Sequence, residues 1–341
     1  MCDIISKFGA KSETAIIVGV RSAYVSGCGL SIIDCLSAGY RFLGWRIELL
    51  LIPLLLDVML WLGPRFSIMP IFSALADTYT ATAGMENVTP DMSLLLDQFA
   101  ASIREMGETA NLADGLISGA ILHVPSLGPV GAPANATVLI VSNPMVALLL
   151  WISFGLIGVL LGVVYLGLLA RRLPIGGMAY VNLGGFVGAT LWHWLRTVGF
   201  IALVFVLLLM IYIPIAFAIS ILMFINPSLG TAAVASAGAL SLVLFFYLYF
   251  VTAGIVMDNL GIWPAMVRSV QLVRRNFWAT LGFVMLSTLI GLGFALLLAQ
   301  LAQSAAWLHL VAILANAYIG TGLALALLVF YRSRLLKEQE A

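Results

Sequence analysis

The sequence predicts an all-α fold: a polytopic membrane helical bundle of six transmembrane helices in three hairpins, with interfacial elbow helices and an outward amphipathic helical insertion. Three observations carry that prediction. The first is composition: of 341 residues, 62% are hydrophobic and only 9% charged, whereas a soluble domain is about 25% charged. Folded in water, such a chain would leave far more contiguous apolar surface exposed than soluble monomers do. The second is spacing: Gly115–Ala170, Thr197–Met257 and Asn276–Tyr331 contain no Asp, Glu, Lys or Arg, and about 20 apolar residues suffice to cross a bilayer. The third is where the basic residues fall. Disorder, a coiled coil and a nucleic-acid-binding arm are excluded by the same composition, and a net charge of +1 points to no acidic or basic partner.

Residues 1–30 stand apart in composition and read as a cytoplasmic N-terminal lead, a candidate for disorder. The apolar run Ala15–Val20 is too short for a secretory signal, and Arg21 follows it. The membrane domain then covers 31–335, with a cytoplasmic tail at 336–341. Its first span, about 45–62, is interrupted by Glu48 and Asp57 and stopped at Gly63-Pro64. Next comes the one sizeable segment outside the membrane, 64–144. A shorter helical piece near 68–82 precedes a long amphipathic helix at roughly 91–121, whose stripe includes Met92, Leu95, Phe99, Ile103, Met106, Ala113 and Ile117. This stripe can pack on the protein itself, lie on the outer leaflet or bind a partner. From His123 a Pro- and Gly-rich stretch reads as loop. The second span is 145–170. Asn226-Pro227-Ser228-Leu229-Gly230 divides the next apolar stretch into spans at 198–225 and 232–256, and the polar break around Gln300, Gln303 and Ser304 separates 278–299 from 307–330.

Orientation follows from the loops. Fourteen of the sixteen Lys and Arg residues fall at the termini or in the even-numbered connections; only Arg65 and Arg104 lie in 64–144, beside seven acids. Both termini are therefore expected in the cytoplasm and 64–144 outside, in a multi-pass protein of the cell (plasma) membrane. Cys2, Cys28 and Cys35 fall on the reducing side, so no disulfide is expected. His123, His193 and His309 lie on separate segments, and no metal or cofactor is expected.

The connection before the fifth span is the most informative. Ile262, Met266, Val270, Val273 and Phe277 recur at helical steps while Arg268, Gln271 and Arg275 take the other face. Such a helix lies in the membrane plane, capped by Asp258 or Asn259, with Pro264 in its first turn. Comparable elbows precede the first and third spans, at Cys35–Arg46 and Gly188–Arg196. Aligning Ser37 with Ser269 sets Tyr40 opposite Leu272 and Trp45 opposite Phe277. Arg46, Arg196, Arg268, Arg274 and Arg275 are the candidate head-group contacts, each worth about 1 kcal/mol beside anionic lipid. Membrane lipids, anionic on the cytoplasmic side, are thus the expected partners, with a membrane protein or a second copy of the chain possible and no nucleic acid.

The run Met257-Asp-Asn-Leu-Gly-Ile-Trp-Pro-Ala-Met-Val-Arg-Ser-Val-Gln-Leu-Val-Arg-Arg-Asn-Phe-Trp278 resembles a signature of prokaryotic integral membrane proteins of unknown function. These are related to the membrane domain attached to some glycerophosphodiester phosphodiesterases. Ser37-Ala-Gly-Tyr-Arg41 and Leu56-Asp-Val-Met-Leu-Trp-Leu-Gly-Pro64 are similar to stand-alone relatives, and the resemblance covers 34–335. It implies an auxiliary membrane domain without an assigned activity; the catalytic acids and metal of the fused enzymes reside in a soluble barrel.

Asp57 is the outstanding charge within a span, where a carboxylate costs about 2.5–3.5 kcal/mol at the helix centre. It can serve a proton, a cation or a substrate, or pair structurally with Arg65. Asn316, the companion candidate, is expected to hydrogen-bond between helices. Asp258 reads as a cap, His193 as an interface residue between two tryptophans, and Pro214 with Gly155, Gly158, Gly162 and Gly167 as packing devices. No catalytic grouping or cofactor loop emerges. The sequence accordingly supports a non-catalytic scaffold, anchor or accessory subunit of a membrane complex. The alternatives are a permease or exporter of a small apolar or lipid-like solute, and an intramembrane lipid-processing enzyme.

Overall fold

A computed structural model describes residues 31–44, 46–85, 89–128, 137–173 and 183–340. The lead 1–30 with Cys2 and Cys28, and Trp45, lie outside the described residues. In order, the helices are α1 (Ile32–Leu43), α2 (Leu51–Leu62), α3 (Met69–Ala83), α4 (Pro90–Thr109), α5 (Pro144–Arg172), α6 (Leu183–Ile225), α7 (Pro227–Tyr247), α8 (Val251–Asp258), α9 (Ile262–Arg275), α10 (Phe277–Ser304) and α11 (Ala306–Glu340). Among the described residues, five helical segments are long and apolar enough to cross a bilayer: Pro144–Arg171, Gly185–Met223, Ser228–Asp258, Phe277–Ser304 and Trp307–Leu336. They make the chain a multi-pass, essentially all-α membrane protein.

The expected first span differs. It is a 3-10 turn, Ile47–Leu50, running into the 12-residue α2. Glu48 and Pro53 delay the α-helix, since proline suits only a first turn. The long outward helix is also broken. α4 ends at Thr109 and a 3-10 segment covers Leu112–Leu122, because Asn111 Oδ1 accepts the Phe66 and Ala113 N–H groups and holds the chain in a turn. A short parallel pair, β1 (Arg65–Ser67) with β2 (Val138–Ile140), replaces part of the expected loop. The elbow expected before the third span is not a separate helix, since 188–196 lies within the uninterrupted 43-residue α6, which also contains Pro214.

The chain divides into two compact units. In unit 1 (1–46, 163–291 and 321–341), the buried run from Thr321 to Leu335 of α11 is the axis of packing. Phe330 stacks on Phe250 and Phe283, with ring centroids 5.8 and 4.6 Å away. Cys35, Gly39 and Leu43 of α1 are buried at a spacing of four. A Cβ on Gly39 would lie 2.6 Å from Ala326 N and Gly322 O, so α1 and α11 touch backbone to backbone, as small residues in membrane helices permit. In α9 the buried residues are Ala265, Ser269, Leu272 and Val273. Of the expected apolar stripe, Val273 is buried and Ile262 and Met266 pack against the core, whereas Val270 and Phe277 are exposed. Gly261, rather than Asp258 or Asn259, is the N-cap of α9.

In unit 2 (47–162 and 292–320), α3 and α4 pack through Phe72, Ala76, Tyr79, Ala100 and Ile103. Met92, Leu95, Phe99 and Met106 of the predicted stripe stay exposed. The 3-10 segment packs Ala113 and Leu116 on Leu56 and Leu60 of α2. A Cβ on Gly158 would meet the Leu116 backbone at 2.6 Å, whereas Gly155 has open space around it. Packing is thus the role of Gly158 alone of these two.

Candidate functional site

Asp57 is the functional candidate of unit 2, and it is 1% exposed. Its carboxylate accepts the Ser126 hydroxyl and the Leu127 backbone N–H, at 3.1 Å to Oδ1 and 3.0 Å to Oδ2. Ser126 Oγ in turn accepts the Gly128 N–H at 3.1 Å, and Gly128 adopts φ +74° to bring that group round. The loop is held a second time where Pro125 sits against Gly320; a Cβ there would fall 2.1 Å from Pro125 Cβ. Asp57 thus anchors 125–128, and Arg65 acts instead on Asp114. Burial raises the Asp114 carboxyl above its ordinary value, and the Arg65 charge opposes that rise.

The structure brings the second candidate to the same place. Asn316 lies at the Asp57 carboxylate, while its Nδ2 has no hydrogen-bond partner of proper geometry. His309, Ala312, Ile313 and Asn316 share one buried face of α11. His309 stacks on Trp61 of α2 with centroids 4.4 Å apart; its ring lies by the Ala302 backbone, and among the described residues neither ring nitrogen makes a hydrogen bond of proper geometry. Buried polar atoms are usually satisfied, so this grouping of Asp57, Ser126, Asn316 and His309 is unusual. His309 was missed in the sequence; its place seven residues before Asn316 on the same helical face was the available signal.

Unit 1 holds a different arrangement at Asp258. That residue ends α8 and accepts from Arg268 Nη1 at 3.2 Å, Arg332 Nη1 at 3.0 Å and Tyr331 Oη at 2.7 Å. One carboxylate therefore joins α8, α9 and α11. Asp258 had been read as a cap, and Tyr331 and Arg332 had not been singled out, because the pairs are separated by more than 70 residues. Beside it Asn259 takes a left-handed conformation, φ +52°. Its Oδ1 and C=O each accept from Arg196 Nη1 at 2.7 Å, and its Oδ1 lies 3.3 Å from His193 Nε2. Arg196 also lies 5.0 Å over the Trp192 ring.

The five candidate head-group arginines thus have different surroundings. Arg268 and Arg196 are engaged inside unit 1, Arg274 and Arg275 are exposed in the last turn of α9, and Arg46 lies half-buried after α1. Cys35 is buried, and burial pushes its thiol up to about 11. Among the described residues no group of three or more His, Cys, Asp or Glu could hold a metal ion. No family model matches the chain, and no curated protein or solved structure matches it.

Proposed function

We propose that the protein is a non-catalytic scaffold or accessory subunit of a membrane complex. The observation that carries this reading is the surface of α6 and α7. The most apolar stretch of the Gly185–Met223 segment is only 11% buried, against 67% for Trp307–Leu336. α6 and α7 are joined at Asn226 and clamped where Tyr212 Oη donates to the Ala237 carbonyl. On α7, Ala232, Ala235, Ser236, Gly238 and Ala239 are exposed. Lipid-facing positions are served equally well by large apolar residues, whereas small ones let another helix approach closely. The occupant proposed is an apolar helix of a membrane protein. The polar joint at Asp258 suits the same role, since it fixes the base from which this pair extends. Isolation under mild conditions is expected to retain a stoichiometric membrane partner or a second copy; a solitary chain with its own turnover or transport activity would overturn the proposal.

The orientation supported by the basic residues belongs to this reading: both termini cytoplasmic, 64–144 outside, in the cell membrane. The turn and helix at 47–62 extend about 26 Å at 2.0 and 1.5 Å per residue, close to the roughly 30 Å core, and supply the sixth crossing. A cysteine placed at Ser93 is expected to react with an impermeant reagent in intact cells, and one at Glu340 only after permeabilisation. Reaction of both before permeabilisation contradicts the arrangement. Arg274 and Arg275 then face anionic head groups.

The unsatisfied atoms around Asp57 favour a second reading, a permease for a small or lipid-like solute. Vesicle flux abolished by Asp57→Asn supports it. No flux in the wild type, or unchanged flux in the variant, removes it.

A further inference from the structure

Unit 2 carries a short strand with one bare edge, and we infer that this edge pairs with the same strand of a second copy of the chain. β2 (Val138–Ile140) runs parallel to β1 (Arg65–Ser67). Arg65 N–H donates to the Thr137 carbonyl and Val141 N–H to the Ser67 carbonyl, each at 2.9 Å. Backbone groups alternate in direction along a ladder, so Thr137, Leu139 and Val141 address β1. The N–H and C=O groups of Val138 and Ile140 point the opposite way, and among the described residues no hydrogen bond reaches them.

The outer edge of β1 is closed. Phe66 N–H donates to Asn111 Oδ1 at 2.9 Å, and Ser67 forms an antiparallel bridge with Asn111. Among the described residues β2 has no such cover. Native edges are commonly guarded by a charge, a proline or a bulge, yet 137–143 contains no charged residue, proline or glycine. Val138, Leu139 and Ile140 are 53, 44 and 70% exposed, so both faces of the strand are bare as well as its edge.

The occupant follows from what the edge requires. Lipid chains would cover the side chains but leave the backbone donors and acceptors unmet. Water meets the backbone groups and leaves the apolar side chains wet. An extended strand serves both, and this edge is complementary to itself. About a two-fold axis through Leu139, Val138 of one copy lies opposite Ile140 of the other. These are the residues whose backbone groups face outward, so each of the two pairs exchanges both its hydrogen bonds. No charge opposes the approach, since Gly115–Ala170 contains none. β2 ends at Ile140 and α5 begins at Pro144, so two chains inserted in the same sense hold the edge at the same level of the membrane. Confinement to one membrane also removes part of the freedom that association otherwise costs, which favours pairing through so short a strand. The inference rests on the membrane reading of the apolar helices and does not involve the α7 face.

The test uses the full chain in native membranes, with two differently tagged copies co-expressed and Cys2 and Cys28 replaced by serine. Leu139→Cys sets two thiols opposite one another across the axis, at the closer, non-hydrogen-bonded position that suits a disulfide. Oxidation with copper phenanthroline is expected to link a dimer carrying both tags. Ser102→Cys, exposed on α4, should give none above background. Adding Ile140→Pro to Leu139→Cys removes one outward N–H from each copy and leaves the bonds to β1, and should lower the linked fraction about tenfold. Val138→Lys, a charged guard on the edge, should lower it similarly, whereas Ile140→Val should not. The inference is overturned if Leu139→Cys links no more dimer than Ser102→Cys, or if either edge variant leaves the yield unchanged. Linkage of Leu139→Cys only to a different protein would assign the edge to a foreign strand and also overturn it. Any of these results leaves the α7 face untouched, since that face is read by capture from α7 itself.

Discussion

At the scale of single residues, the carboxylate of Asp258 has the largest structural consequence. Its side chain is 13% exposed and takes three donors from two other helices. Removing one partner of a buried ion pair leaves the others desolvated and uncompensated, at about 3 kcal/mol. Asp258→Ala is therefore expected to lower the thermal stability of the purified protein by that order. Tyr331→Phe should cost about 1.5 kcal/mol, the loss of one bond to a charged group. Arg268→Gln, with a side chain 43% exposed, should cost below about 1 kcal/mol. Equal effects of all three would show that Asp258 is not the hub. None of this was visible in the sequence, where Asp258 stands at a span end as any capping residue would. Asp57 was visible, because a carboxylate inside an apolar run is costly wherever it occurs. Its partners were not: Ser126 and Leu127 lie in a stretch whose proline and glycine content announces only a loop.

Among the elements, the break between α6 and α7 was legible because it depends on local chemistry. Asn226 accepts the Ser228 N–H just ahead of Pro227, and the chain turns where that pair predicts. What periodicity could not supply was direction in a chain whose every helix is apolar. In α9 the stripe Ile262, Met266, Val270, Val273 and Phe277 reads as the apolar face of a helix in the membrane plane, and the structure adds the small residues Ala265 and Ser269 to its buried side. Ser269 Oγ donates to the Tyr247 carbonyl at 2.7 Å and accepts the Phe250 N–H at 3.2 Å, bridging the turn that separates α7 from α8. The burial pattern also moves the internal alignment by two residues: Cys35, Gly39 and Leu43 of α1 correspond to Ala265, Ser269 and Val273 of α9. The shared device is therefore a four-residue spacing of mostly small side chains, rather than the aligned serines. Gly39→Ala is expected to destabilise the protein by about 1–3 kcal/mol through overpacking against the α11 backbone. Gly155→Ala, where no atom lies within 4 Å, should be nearly neutral. Comparable losses for both, in the same thermal assay, would contradict the proposed closeness of α1 and α11.

For the whole molecule, composition alone established membrane residence, and charge placement supplied an orientation. The number of crossings depends on 47–62, which is borderline because Glu48 and Pro53 shorten its α-helical part. Function was the least legible property, since partner surfaces on membrane helices differ from lipid-facing ones only in side-chain size and exposure. The claim on which the proposed role depends is that the exposed small-residue face of α7 meets another protein helix. A photocrosslinking amino acid placed at Ala235, and separately at Leu242, which is 73% exposed, tests this in native membranes. The expected result is one discrete protein adduct from Ala235, either a second copy or one partner, with weaker capture from Leu242. Lipid adducts alone from both positions would contradict it.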